Sequence, residues 1–161
     1  MHKLTSSIHT TILTAFCFLL LSINAPVMAE ESAKNTETAQ QIEFKALAKE
    51  VLSVMDKWAR SWAQLEPRGY ISSYSPDYVG KGFPSHFTWA ANRQQRLQNQ
   101  KRIQLSLTNV SLSSTKEGHF TVTFTQDYKS DTYQDITNKQ LDFKLIDGQW
   151  YIVAETTLDK K

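Results

Sequence analysis

The spacing of apolar residues changes once along this chain, at about Arg102, and that switch constrains the fold more than any other feature. Upstream, Phe44, Leu47, Val51, Met55, Trp58, Trp62 and Leu65 recur at intervals of three and four. This spacing predicts one helix with a single apolar stripe, ended by Pro67 and Gly69. Tyr70, Ile71 and Tyr74 share a helical face before Pro76, which predicts a second, short helix over 70–74. Residues 78–87, with Gly80, Gly82 and Pro84, read as a loop. Residues 88–100 are rich in good helix formers, and Trp89, Arg93, Arg96 and Leu97 follow helical spacing.

Downstream the period is two. Ile103, Leu105 and Leu107 alternate with polar residues, and the apolar set then moves to even positions at Val110 and Leu112, which predicts a β-bulge near Thr108-Asn109. Phe120, Val122 and Phe124 mark a second strand, and Leu141, Phe143 and Leu145 a third. Asp147-Gly148 is a two-residue primed-turn signal. It sets a register with Ile146 opposite Gln149, Leu145 opposite Trp150, Phe143 opposite Ile152 and Leu141 opposite Ala154, these last three pairs sharing one oily face. The other face then carries Lys144 with Tyr151, Asp142 with Val153, and Gln140 with Glu155. Helices first and strands afterwards give an α+β class, a curved antiparallel sheet covered by the tryptophan-bearing first helix.

The N-terminus reads as an export signal. Met1, His2 and Lys3 form a positive start, residues 11–23 an apolar core, and Ala25-Pro26-Val27-Met28-Ala29 a small-residue cleavage site. The apolar run falls short of the ~20 residues that span a bilayer, so cleavage after Ala29 is expected rather than a membrane anchor. Cleavage removes Cys17, the only cysteine, and with it any disulfide, thiolate nucleophile or cysteine metal site. Loss of Lys3 leaves 17 basic residues against 16 acidic ones, a balance that does not suit a polyanion-binding protein. Residues 30–42 are polar and unpatterned and are expected to form a leader without fixed structure. The folded domain is then 43–161.

The order helix, short helix, helix, then bent sheet resembles the nuclear-transport-factor-2-like superfamily, a cone in which three helices close over a sheet to leave a pocket. Trp58-Ala59-Arg60-Ser61-Trp62, Tyr70, residues 74–78 (YSPDY), Trp89 with Arg93 and Arg96, residues 123–131 (TFTQDYKSD), Lys139 and residues 148–152 (GQWYI) follow in order. Together they resemble the C-terminal domain of cell-shape-determinant proteins related to L,D-transpeptidases, over about Val51 to Glu155. In that family the chemistry belongs to a separate domain with a nucleophilic cysteine, so the resemblance implies the fold and a link to peptidoglycan or the cell envelope, not transpeptidase or carboxypeptidase activity. Leu65-Glu66-Pro67-Arg68 departs from the small and acidic residues that the family places between its first two helices.

Alternation carries Gln126 and Tyr128 to the inner side beyond Phe124, and Lys139 continues the inward register of Leu141. With Tyr74, Tyr78, Trp89 and Arg93 they are the candidate lining of an aromatic pocket, Arg93 offering bidentate pairing to a carboxylate-bearing peptide or glycan fragment. The competing reading places Trp58, Trp62, Trp89 and Trp150 simply in the core. For acid-base chemistry the mature histidines, His86 and His119, have no acidic partner by spacing. Asp127, Asp131 and Asp135 fall on one exposed side, which excludes a clustered metal site. Arg93, Arg96, Lys101 and Arg102 read as a helix C-terminus effect, not a nucleic-acid surface. The expectation is a periplasmic, non-catalytic binding or accessory module with no cofactor and no metal. The alternatives are a small pocket enzyme of isomerase or dehydratase type, expected to hold a buried carboxylate or imidazole, and a structural domain that forms a homodimer through the outer sheet face at Tyr151 and Val153.

Overall fold

The computed structural model describes residues 28–160. The expected signal peptide lies outside the described residues but for its last two, and no described helix is long and apolar enough to cross a membrane. Three helices, α1 (Met28–Ala63), α2 (Pro67–Ile71) and α3 (His86–Gln98), precede four strands, β1 (Ile103–Lys116), β2 (His119–Ser130), β3 (Gln134–Ile146) and β4 (Gln149–Lys160). The strands form one antiparallel sheet in sequence order, so the class is the α+β one that the change of period predicts.

Helix α1 starts earlier than expected. Residues 30–42 are helical rather than an unstructured leader, because the chain holds neither glycine nor proline from Met28 to Glu66 and is rich in Ala, Glu, Lys and Gln. Burial begins only at Leu47; residues 38–46 are exposed, although Phe44 meets the Phe120 ring at 5.5 Å. From there Val51, Met55 and Trp58 bury the predicted stripe. The helix stops where Leu65 turns left-handed, at φ 58°, and the Glu66 N–H closes on the Ser61 carbonyl at 2.8 Å. Pro67 then opens α2, three residues before the predicted start, since its fixed φ suits a first helical position. Gly69 lets α2 press on α1, because a Cβ there would lie 2.2 Å from Ser61 Oγ.

Helix α3 begins at His86 rather than Thr88, since Ser85 and Thr88 form a reciprocal capping box that starts the helix one residue after Ser85. The predicted β1 bulge is present: Asn109 sits at φ 53° and the β1–β2 register shifts between Thr108 and Ser111. The β3–β4 hairpin turns at Asp147-Gly148 with the expected pairs as far as Phe143 opposite Ile152. Beyond them the register slips by one. Val153 is an extra residue, so Asp142 faces Ala154 and Leu141 faces Glu155, against the expected pairings of Leu141 with Ala154 and Gln140 with Glu155. At the narrow end, Phe120, Val122, Leu141, Phe143, Trp150 and Ile152 pack under α1 as a closed apolar core, and Trp150 Nε1 donates to Glu50 of α1 at 3.0 Å.

Candidate functional site

The inner face of the sheet changes character along its length. The facing pairs Phe120–Phe143 and Val122–Leu141 are apolar, but the next ones are Phe124–Lys139, Gln126–Thr137 and Tyr128–Asp135. Alternation is unbroken; only the chemistry changes. Over these polar rows, at the wide end of the cone, lies a cavity of about 390 Å³, within the range of small-ligand sites. Helix α3 supplies one wall through Arg93, Arg96 and Leu97, three and four residues apart, with Gln100 just beyond its end.

Of the seven predicted lining residues, Arg93, Gln126, Tyr128 and Lys139 line this cavity and Tyr74, Tyr78 and Trp89 do not. Those three form an aromatic cluster to one side of it, with ring centroids 4.7 to 4.8 Å apart. Trp89 is fully buried, and Gly80 lies so close that a Cβ there would stand 2.3 Å from its ring. Tyr74 and Tyr78 lie in the segment between α2 and α3, which has no period from which an inward side can be read, and Trp89, one turn before Arg93 on α3, packs against both of them. Trp62 lines the cavity, unlike the core residues Trp58, Trp89 and Trp150; its ring meets Tyr128 at 5.3 Å and lies 5.9 Å from Lys139 Nζ. Asp135 also lines it, against the expectation of an exposed side, because it pairs with inward-facing Tyr128. Asp131 is not merely solvated: its Oδ2 accepts from the Lys101 N–H at 2.7 Å.

The residue that spacing missed is Glu155. The Val153 bulge turns it from the outer face to the inner one, where Lys139 Nζ meets its Oε1 at 2.5 Å and Tyr74 donates to its Oε2 at 2.7 Å. Tyr74 has one proton to give, so it accepts from Trp58 Nε1 at 2.9 Å and from Tyr70 at 3.0 Å. The segment after α2 holds Tyr74 there by bonding the β4 edge, Ser75 N–H to Ile152 O at 2.9 Å and Ile152 N–H to Ser73 O at 2.8 Å. Burial works against the Glu155 charge, yet the Lys139 charge and hydrogen bond, the Tyr74 hydrogen bond and the Arg93 charge outweigh it and hold this carboxyl below its ordinary 4.5. Burial, reinforced by Glu155, raises Tyr74 and Tyr70 well above 10.0 and pushes Tyr78 up to about 12.

Five buried side-chain polar atoms among the described residues have no partner in the protein, and four belong to the cavity wall: Arg93 Nε, Gln100 Oε1, Gln126 Oε1 and Thr137 Oγ1. Gln126 and Thr137 are 3% and 2% exposed and face each other across β2 and β3. Buried polar groups are normally satisfied, so these four atoms are the donors and acceptors of the cavity wall that no protein group claims. No three His, Cys, Asp or Glu residues among those described lie close enough together to hold a metal ion.

No curated protein matches the sequence. Among solved structures the chain is similar to Bd1075 of Bdellovibrio bacteriovorus (TM-score 0.61, 16% identity, 68% of this chain and 39% of that one). It is also similar to the helical cell shape determining protein Pgp2 of Campylobacter jejuni (TM-score 0.57, 18% identity, 66% of this chain and 39% of that one). A putative dehydratase of the NTF2-like family from Streptomyces avermitilis matches at TM-score 0.59 and 15% identity, over 69% of this chain and 94% of that one. The chain thus spans about two fifths of Bd1075 and of Pgp2, and at these identities the likeness is one of fold. The family model described as the Cds6 C-terminal NTF2-like domain matches residues 50–156, two thirds of the chain and all but the end of the sheet, and the chain belongs to that family.

Proposed function

We propose that this protein is a non-catalytic binding module that works in the periplasm and takes carboxylate-bearing fragments of the cell wall into the cavity at the wide end of the cone. The observation that carries the reading is the set of partnerless polar atoms on Arg93, Gln100, Gln126 and Thr137. A guanidinium N–H on the same cavity wall as two amide oxygens and one hydroxyl suits a ligand with a carboxylate next to N–H or O–H donors. Lys139 is already paired with Glu155, which leaves the arginines of α3 as the cations for an incoming anion. The periplasmic location rests on the export signal read at the N-terminus, and the cell-wall ligand on the family's cell-shape relatives. Muropeptide fragments are expected to raise the melting temperature of the wild type and not that of Arg93→Ala. Equal behaviour of the two proteins, with no shift in either, contradicts the reading. Fractionation with N-terminal sequencing is expected to find a mature chain that starts at Glu30.

One observation favours a second reading, a small pocket enzyme. Glu155 is the buried carboxylate inside the cavity that such an enzyme requires, and the Tyr70–Tyr74 chain ends on it. Its lowered pKa makes it a weak general base, which argues for an electrostatic role. Turnover of the bound fragments that Glu155→Gln abolishes, without loss of binding, would decide for the enzyme.

A further inference from the structure

The aromatic rings of the cavity wall continue out to its mouth. Trp62 of α1, Tyr128 of β2 and Tyr133 of the β2–β3 turn all line the cavity, and the Tyr128 ring is centred 5.3 Å from Trp62 and 6.2 Å from Tyr133. Interplanar angles of 34° and 45° make the three a curved strip and not an edge-to-face cluster. The inner end is anchored, since Trp62 meets the buried rings of Trp58 at 5.3 Å and Tyr70 at 5.6 Å. The outer end is open: Tyr133 is 51% exposed and lies beyond the Tyr128–Asp135 pair. Its ring is nevertheless held, because its hydroxyl donates to Asp135 Oδ2 at 2.7 Å and its carbonyl accepts from the Ser130 N–H at 2.8 Å. Beside the rings stand the exposed Thr132 and Thr157, which line the same cavity, and Asp135, whose carboxylate has acceptor sites beyond the one that the phenol uses.

We infer that Tyr128 and Tyr133 form a saccharide subsite, in which a pyranose ring lies against the tyrosine faces while its hydroxyls donate to Asp135 and bond Thr132 and Thr157. A pyranose presents an apolar face of C–H groups and an edge of hydroxyls. It therefore needs an aromatic surface bordered by acceptors and hydroxyls, and the mouth of the cavity supplies both. An aromatic side chain of a peptide would cover the rings but bring no donors to Asp135 and the two threonines. The assignment rests on the reading of the cavity as a cell-wall binding site and adds which part of the fragment meets which wall: the glycan meets the tyrosines of the mouth, and the carboxylates meet Arg93 of α3.

Three probes separate the parts of the fragment: a muropeptide, the peptide-free disaccharide of N-acetylglucosamine and N-acetylmuramic acid, and the stem peptide without sugar. Saturation-transfer NMR on the muropeptide is expected to give its strongest transfer to the C–H protons of a sugar ring, and the disaccharide alone is expected to bind. Tyr133→Ala should weaken the muropeptide about fivefold in calorimetric titration and leave the stem peptide unchanged. Tyr133→Phe keeps the ring and should restore the affinity to within about twofold of wild type. Tyr133 is exposed, so the melting temperatures of both variants should match that of wild type. A muropeptide that binds wild type and Tyr133→Ala equally, with transfer confined to its peptide protons, would overturn the saccharide subsite and leave the binding reading in place. No binding of any of the three probes to wild type would overturn both.

Discussion

The narrow and wide ends of the cone are built by the same strands in the same alternation, yet they are held together differently. At the narrow end Phe120, Val122, Leu141, Phe143 and Ile152 share one buried apolar cluster with Trp58 and Val51, and none of the four partnerless atoms of the cavity wall lies among them. At the wide end Gln126, Thr137, Lys139 and Glu155 occupy the equivalent inward positions around a cavity. Apolar burial contributes about 25 cal/mol for each Å² removed from water, so the first arrangement supplies stability. The second forgoes it and leaves buried polar atoms at a cost of about 1–3 kcal/mol each. Stability is therefore supplied mainly by the narrow end, and the wide end is the part left available for the proposed binding.

Substitutions at the two ends break this comparison in opposite directions. Phe143→Ala opens a void in the closed half and is expected to cost about 3–5 kcal/mol in denaturant unfolding. Glu155→Gln leaves Lys139 without its counter-charge in a largely buried place and is expected to cost about 3 kcal/mol. It should also change the acid limb. The Glu155 carboxyl is held below 4.5 in the folded protein, so its contribution is full above that value and is lost as pH falls through the folded value. Stability profiles of wild type and Glu155→Gln should therefore converge in acid. At the alkaline end the sign reverses: Tyr70 and Tyr74 titrate above 10.0 when folded, so wild-type stability is complete below pH 10.0 and declines above it. Tyr74→Phe should weaken that decline. The smallest effect is the most telling: Thr137→Val removes a partnerless hydroxyl without changing shape and is expected to stabilise the protein by about 1 kcal/mol. A loss of stability there would mean that the hydroxyl serves the fold and not the cavity.

Two bulges explain why the fold was more legible in the sequence than the site. In β1 the extra residue moves the apolar residues from Leu107 to Val110 and Leu112, a change of parity visible in the letters. In β4 Tyr151, Ile152, Val153 and Ala154 are all apolar, so the slip at Val153 leaves no mark on the pattern. Simple alternation therefore puts Glu155 on the outer face and hides its charge pair with Lys139. Lys139, Gln126 and Tyr128 lie on the inner face that alternation predicts, because β2 and β3 pair through this region with no slip between them. Tyr74, Tyr78 and Trp89 lie beside the cavity and not on its wall, since the segment that carries the two tyrosines is positioned by contacts distant in sequence, such as the Ser75 N–H on the Ile152 carbonyl and Tyr74 on Glu155. The helical leader shows propensity acting where no core pattern exists.

The central claim is that the wide end is hollow in order to hold an anionic ligand. A titration of the isotopically labelled protein with a muropeptide fragment, followed by amide and side-chain NMR shifts, tests it most directly. The account predicts shifts centred on Arg93, Gln126, Thr137 and Lys139, absent in Arg93→Ala and absent with the same fragment amidated at its carboxylates. Shifts confined to the outer sheet face, or none up to millimolar ligand, would contradict it.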